Sequence, residues 1–344
     1  MNVENLVRPN IRQLSPYSSA RSEFKGQAEV FIDANENPFE TGLNRYPDPL
    51  QWQLKEAISH IWEIPKEHIF LGNGSDEVID LLVRIFCEPR IDHIITLPPT
   101  YGMYKVSASI EDIAIKEILL TPDYQPRLEP ILSATTPQSK ILFLCSPNNP
   151  TGNDLEPELV FRLLDQFPGI VVIDEAYIDF SSQESFRRYL KTYPNLVVTQ
   201  TFSKAWGLAG IRLGMAFASE AIIAYLNKVK PPYNVNQLTQ KAALEALQNQ
   251  QQQAEWVDTI LKERDLLADR LKAFAFVKKI HPSAANFLLV EVEQPKDLYQ
   301  FLVEHGIIAR DRSSVPLCEG CLRLTVGRPE ENQLLLSVLQ AYQA

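Results

Sequence analysis

Between residues 94 and 218 the chain carries six short runs of aliphatic and β-branched residues, several of them with no polar residue in alternation. Ile141–Cys145 reads ILFLC and Ile170–Ile173 reads IVVI. A strand with one wet face alternates, whereas a continuous apolar run of four to eight residues belongs to a strand covered on both faces, as parallel sheets are. Stretches of helical period separate these runs, among them Ser75–Phe86, Pro157–Phe167 and Val235–Gln248. Strands are predicted at Ile94–Leu97, Ile113–Leu119, Ile141–Cys145, Ile170–Asp174, Leu196–Thr201 and Leu213–Ala218. This alternation predicts an α/β fold, a mostly parallel sheet wrapped by helices.

The pattern changes after residue 248. A glutamine-rich patch, Gln248 to Gln253, is expected to mark a passage between domains. A helical pattern (Trp256–Phe274) and strand-like runs (Asn286–Val292, Cys321–Val326) follow it and suggest a small α+β domain. The first thirty-odd residues are polar and turn-rich. The expected organisation is therefore an N-terminal arm and part of the small domain (1–38), a large domain (39–248) and a small C-terminal domain (249–344).

Composition narrows the classes. The net charge of −10 over 344 residues argues against a nucleic-acid surface. The N-terminal MNVENLVRPN is unlike a signal peptide, and the apolar runs are far shorter than a membrane span. Four cysteines do not suggest a disulfide framework. A cytoplasmic protein is expected. Cys318 and Cys321 form a C-x-x-C, but no second pair or suitably placed histidine accompanies it, so no metal site is expected.

Three predicted strands end on polar groups of complementary kinds. Leu196–Thr201 leads into Ser203 and Lys204, with Arg212 eight residues beyond the lysine. In open α/β sheets ligands bind at the carboxyl ends of strands. An amine there, flanked by hydroxyls (Thr201, Ser203) and a guanidinium, suits pyridoxal phosphate: the amine condenses with the aldehyde, and the others hold the phosphate. Ile170–Ile173 leads into Asp174 and Tyr177. An aspartate abutting a buried strand calls for a cationic partner, and a protonated pyridine nitrogen would serve; a helix-capping Asp beside a packed Tyr is the plainer alternative. Ile141–Cys145 leads into SPNNPTG, Ser146 to Gly152, an irregular loop that any protein could use as a turn. LGNGSDEV (Leu71–Val78) places a glycine turn before a helix whose free amides can bind phosphate. Asp76 and Glu77 would oppose that unless their side chains point away. Walker A, H-E-x-x-H and G-x-S-x-G sequences are absent.

SPNNPTG, DEAY (Asp174–Tyr177) and SKAWGLAGIRLG (Ser203–Gly214), in this order and spacing, resemble the aspartate-aminotransferase superfamily of pyridoxal phosphate enzymes. PYSSAR (Pro16–Arg21), ANENP (Ala34–Pro38), RYPDP (Arg45–Pro49), PPTYGMY (Pro98–Tyr104), GIIARD (Gly306–Asp311) and CLRLTVG (Cys321–Gly327) narrow the resemblance to the histidinol-phosphate aminotransferase family, over essentially the whole chain. The resemblance implies a large domain with a mostly parallel seven-stranded sheet, a small α+β domain and a homodimer with shared sites. It implies that Lys204 binds the cofactor covalently and that Asp174 pairs with the pyridine nitrogen. Asn149 and Tyr177 would bond the ring oxygen, and Tyr101 would stack on the ring. The phosphate would be held by amides around Gly74, Ser75 and Asp76, by Thr201, Ser203 and Arg212, and by Tyr46 from the neighbouring subunit. Arg310 and Arg323 would clamp the substrate anion, with Tyr17 and Asn37 closing over it.

The implied reaction, in histidine biosynthesis, exchanges the amino group between L-histidinol phosphate and 2-oxoglutarate, giving imidazole-acetol phosphate and L-glutamate. Threonine-phosphate decarboxylase of cobalamin synthesis shares much of the pattern, and an aromatic amino-acid aminotransferase is a further alternative.

Overall fold

The runs that read as doubly covered strands do form one sheet. The computed structural model describes residues 2–16 and 29–342. Its larger sheet contains β1 (Ile69–Asn73), β2 (His93–Thr96), β3 (Ala114–Glu117), β4 (Ser139–Cys145), β5 (Ile170–Asp174), β6 (Leu196–Thr201) and β7 (Leu213–Ala218), in the order β1-β7-β6-β5-β4-β2-β3. Pairing is parallel from β6 through β5, β4 and β2 to β3, while β7 runs antiparallel to both β6 and β1. Every residue of β5, β6 and β7 is buried. Alternate side chains enter two cores: Leu142, Leu144, Val171 and Ile173 on one face, Ile141, Phe143, Ile170 and Val172 on the other. Covering both faces with helices is what permits strands without polar alternation.

The second sheet has β8 (Val277–Ile280), β9 (Phe287–Val292), β10 (Arg310–Asp311) and β11 (Cys321–Thr325), all antiparallel, in the order β10-β11-β9-β8. Leu267 and Leu271 of the helix Gln250–Leu271, Leu298 and Leu302 of Pro295–Glu304, and Leu335 and Leu339 of Pro329–Gln340 pack with Leu288, Val290, Leu322 and Leu324.

Three expectations change. Most of the glutamine patch, Gln250 to Gln253, is the first turn of a 22-residue helix, because glutamine is a good helix former; Gln248 caps the end of the preceding helix and Asn249 is the N-cap. The opening residues lie against the large sheet's helices: Val3 and Val7 join the core that includes Phe86, and Arg8 pairs with Glu88 at 3.1 Å while its N–H donates to the Ile85 carbonyl. Strand β1 arises where only a glycine turn was foreseen, since its apolar signal is three residues, Ile69 to Leu71, before Gly72. Among the described residues no helix is long and apolar enough to cross a membrane. Cys318 and Cys321 are free thiols, both buried.

Candidate active site

The carboxyl ends of β4, β5 and β6, the start of the helix Gly74–Phe86 and the β10–β11 edge of the small sheet converge on a cavity of about 430 Å³. Gly74, Ser75, Asp76, Tyr101, Asn149, Asp174, Tyr177, Thr201, Ser203, Lys204, Arg212, Arg310 and Arg323 all line it. These residues lie as far as 249 positions apart in sequence; the shared direction of β4, β5 and β6 gathers those that follow the parallel strands, and the antiparallel β10–β11 pair brings in Arg310 and Arg323.

One end of the cavity is built by close backbone approach. Gly74 has φ +75°, the left-handed region that glycine adopts without strain. A Cβ on Gly214 would lie 2.1 Å from the Ser75 nitrogen and 2.2 Å from the Gly74 carbonyl carbon, so only glycine lets β7 pass beneath the helix start. The helix N-terminus is thereby held against the cavity, and its first amides have no intrahelical partner. The acids that could oppose an anion there are engaged. Glu77 Oε2 accepts from the Asn73 N–H at 2.5 Å and from Asn234 Nδ2 at 3.0 Å. Asp76 accepts from the Tyr101 hydroxyl at 3.0 Å and pairs with Arg212 at 3.4 Å.

The middle of the cavity holds Asp174 and Lys204. Asp174 closes β5 with 3% exposure, and burial pushes its carboxyl above the ordinary range. Its Oδ2 accepts from the Tyr104 hydroxyl at 2.8 Å and its Oδ1 from the Ala176 N–H at 3.1 Å. Among the described residues no ion pair neutralises it. Lys204 follows β6 in a turn, with Nζ 5.5 Å from the centre of the Tyr177 ring. Burial, then the charge of Arg323, lowers its pKa, although Asp174 works the other way. Burial holds the Tyr177 phenol above its ordinary value, so it stays a donor at neutral pH.

At the far end three guanidinium groups gather. Arg310 faces Arg323 in the β10–β11 register, and Arg312, one residue beyond β10, also lines the cavity. The buried Nε atoms of Arg312 and Arg323 have no hydrogen-bond partner among the described residues. Arg323 donates through Nη1 to Asn149 Oδ1 and lies over the Phe287 ring at 5.3 Å. Burial lowers the pKa of both Arg312 and Arg323. Such a cluster calls for anions from outside the chain.

Two other candidates, Tyr46 and Asn37, lie elsewhere. Tyr46 is half exposed and stacks on Tyr233 at 4.5 Å, in a separate groove that also includes Asn37. Asn37 Oδ1 accepts from the Phe39 N–H at 3.0 Å, so Asn37 does not reach this cavity. Tyr17 lies outside the described residues. Two residues were not foreseen. Arg312 shares the strand-like period of two with Arg310, a signal that was available. Tyr104 gave no local sign, because its partner is 70 positions away.

The sequence profile of the aminotransferase class I and II family matches residues 20–339. The chain belongs to this family. It is 52% identical over 345 residues to a histidinol-phosphate aminotransferase of Cytophaga hutchinsonii, covering 99% of each chain. It is 54% identical over 341 residues to another of that name from Christiangramia forsetii, covering 98% of this chain and 97% of the relative. Among solved structures, the histidinol-phosphate aminotransferase from Clostridium acetobutylicum superimposes with a TM-score of 0.80 at 25% identity, over 87% of this chain and 90% of that one. These aminotransferases depend on pyridoxal phosphate, and the donor set here fits that cofactor: a buried, uncompensated carboxylate for a ring N–H, free helix amides with Arg212 for a phosphate, and a partly desolvated lysine between them.

Proposed function

We propose that this chain is a pyridoxal phosphate-dependent transaminase that exchanges the amino group between L-histidinol phosphate and 2-oxoglutarate. The observation that carries the substrate class is the charge of the cavity: Lys204, Arg212, Arg310, Arg312 and Arg323 against Asp76 and Asp174. Arg212 and the helix amides suit one phosphate, and the arginines at the opposite end suit a second, strongly anionic group. Guanidinium forks bind phosphate and carboxylate alike in bidentate fashion, so one clamp can serve both histidinol phosphate and the dicarboxylate. Identity above 50% over the full length to proteins of that name supports the same choice.

When bound, pyridoxal 5′-phosphate supplies an aldehyde for condensation with amines and a protonated ring that takes up the electron pair left at the substrate Cα. The chain's own residues do the rest. Asp174 keeps the ring nitrogen protonated, because a buried carboxylate is stabilised by a cation against it. The Asn149 Nδ2 and the Tyr177 hydroxyl hold the ring oxygen, and Tyr101 covers a ring face. Gly74, Ser75 and Asp76 amides with Thr201, Ser203 and Arg212 anchor the phosphate. Lys204 would tether the cofactor through Nζ, and the same Nζ, when free, would take up and hold the proton of the substrate Cα. A lowered pKa serves this role, since a general base works best with a pKa near the ambient pH. Arg310 and Arg323, with Arg312, fix the substrate anion.

In this reading residues 39–248 form the cofactor-binding unit and 249–344 the clamping unit. The protein is a homodimer in which Tyr46 serves the neighbour's phosphate; exposed Leu43 and Leu238, in the groove with Tyr46, support an apolar contact there. Mixing the pyridoxal phosphate-loaded protein with histidinol phosphate, without 2-oxoglutarate, is expected to discharge the visible absorbance in a single turnover, and 2-oxoglutarate to restore it. Release of carbon dioxide from threonine phosphate, with no response to histidinol phosphate, would overturn the assignment in favour of a decarboxylase.

A further inference from the structure

Asp174 is gripped from behind by a residue outside the cavity. Tyr104, in the helix Met103–Ile110, is wholly buried, and its hydroxyl lies 2.8 Å from Asp174 Oδ2. Its ring stacks on Phe143 of β4 at 4.5 Å with 7° between the planes, and meets Tyr101 edge-on at 5.6 Å. Packing on both sides fixes the ring, so the hydroxyl is aimed at the carboxylate by the core and not by solvent. Phe143 points to this face because strands alternate, and Cys145, two residues on, pairs in register with Asp174.

We propose that Tyr104 is a positioning residue for the reaction, a permanent donor that keeps Asp174 ionised and turned toward the cavity. This rests on the functional reading above, in which Asp174 must be anionic to hold the proton on the cofactor's ring. The groups facing Asp174 make the need plain. Tyr101 and Tyr177 are neutral phenols, Cys145 is a buried neutral thiol, and Asp76 is a like charge; Asp174 acts on the Lys204 amine across the cavity, but among the described residues neither that lysine nor the cavity's arginines form an ion pair with it. Burial drives the Asp174 carboxyl toward its protonated form, while the Tyr104 hydroxyl and the Ala176 N–H pull it back. Burial and the neighbouring carboxylate hold the Tyr104 phenol well above its ordinary pKa, so it does not cease to donate at neutral pH.

The test uses the full-length apoprotein with ¹³C-carboxyl aspartate, the Asp174 signal being assigned by its loss in Asp174→Asn. Tyr104→Phe retains the ring that packs between Phe143 and Tyr101 and removes only the donor. A charge-assisted hydrogen bond is worth about one to two pKa units to a buried carboxylate, so the Asp174 titration is expected to rise by that much. Replacing Tyr104 by 3-fluorotyrosine, a stronger donor of nearly the same shape, is expected to move it the other way. Apoprotein affinity for pyridoxal 5′-phosphate is expected to fall about tenfold in Tyr104→Phe, with Lys204 still the residue trapped by borohydride. Unchanged titration in both variants, or shifts of the same sign, would overturn the proposal; the fluorotyrosine arm decides it even if the phenylalanine variant folds poorly. Failure of the wild-type chain to bind pyridoxal phosphate at Lys204 would instead refute the functional reading, and the carboxyl titration would still report on the Tyr104 contact.

Discussion

Gly214→Ala is the sharpest test of how the cavity is held. The added Cβ would sit 2.1 Å from the Ser75 nitrogen and 2.2 Å from the Gly74 carbonyl carbon, whereas ordinary contact begins at 3.4 Å. The obstacle is backbone, so no rotamer change relieves it, and the helix start must retreat by the difference, 3.4 − 2.1, about 1.3 Å. Strand β7 has little room to yield in its place: it is hydrogen-bonded on both edges, to β1 and β6, and wholly buried. Overpacking of this kind costs about 1–3 kcal/mol, which predicts a lower urea midpoint with an unchanged denaturant slope. The functional loss is larger. In the proposed reading a retreat of that size would break hydrogen bonds from the first amides to the cofactor's phosphate, and losing two contacts of about 1.5–3 kcal/mol each is expected to weaken cofactor binding by at least a hundredfold. Titrating the apoprotein with pyridoxal 5′-phosphate, followed by absorbance, measures this directly. Affinity within threefold of wild type would refute the claim that the helix start is fixed by its contact with β7, whatever the stability change.

Lys204→Ala is expected to fold normally and lose at least 10²–10⁴-fold in the single-turnover rate, the usual worth of a positioned proton carrier before its covalent role is counted; modification of a different lysine after borohydride reduction would contradict the assignment. Histidinol is expected to react about a hundredfold less efficiently than histidinol phosphate, and Arg310→Ala to harm the histidinol phosphate half-reaction more than the glutamate one; equal single-turnover rates for histidinol and its phosphate would refute the clamp. Mixing inactive Tyr46→Ala and Lys204→Ala subunits is expected to restore about a quarter of wild-type activity, since a heterodimer would keep one whole site; no recovery despite demonstrated subunit exchange would place Tyr46 outside its neighbour's site. Burial raises the Glu175 carboxyl from 4.5 to about 7, a folded pKa above the unfolded one. Its contribution is therefore fully present below pH 4.5, is lost as pH rises to 7, and amounts to about 3 kcal/mol over that window. Urea unfolding across that range should show this slope in wild type and lack it in Glu175→Gln, whatever the variant's absolute stability.

Much of this could be read from the residues because function and fold share one cause. Strands β4, β5 and β6 carry unbroken apolar runs, and each run ends where a polar residue must leave the sheet, so the strand ends announce both the topology and the site. Arg310 and Arg323 were legible through resemblance alone; on physical grounds they are indistinguishable from surface arginines until β10 and β11 pair. Arg312 could have been found from the alternation that sets it on the side of Arg310. The pattern is short, since β10 is only two residues long. Tyr104 was beyond reach: a buried tyrosine reads as core, and its acceptor is fixed by the packing of a helix on a distant strand. Tyr46 is a different case, because its place in the groove with Asn37 becomes meaningful only if a second subunit covers it.

The same packing explains how a chain of net charge −10 maintains a strongly cationic cavity. Four arginines and a lysine face Asp76 and Asp174, and Asp76 is already shared by Arg212 and Tyr101. Left alone, the arginine cluster of the small sheet repels itself: Arg323 depresses the pKa of Arg312, and Arg310 depresses both. That repulsion is a cost carried by the ligand-free protein and relieved when anions bind, so the affinity for anions includes release from unfavourable charge as well as new contacts. Binding should accordingly stabilise the fold by more than any single contact suggests, and inorganic phosphate should raise the melting temperature of the wild-type apoprotein more than that of Arg312→Gln. Equal shifts would mean that Arg312 is neutralised by solvent and contributes nothing to the anion site.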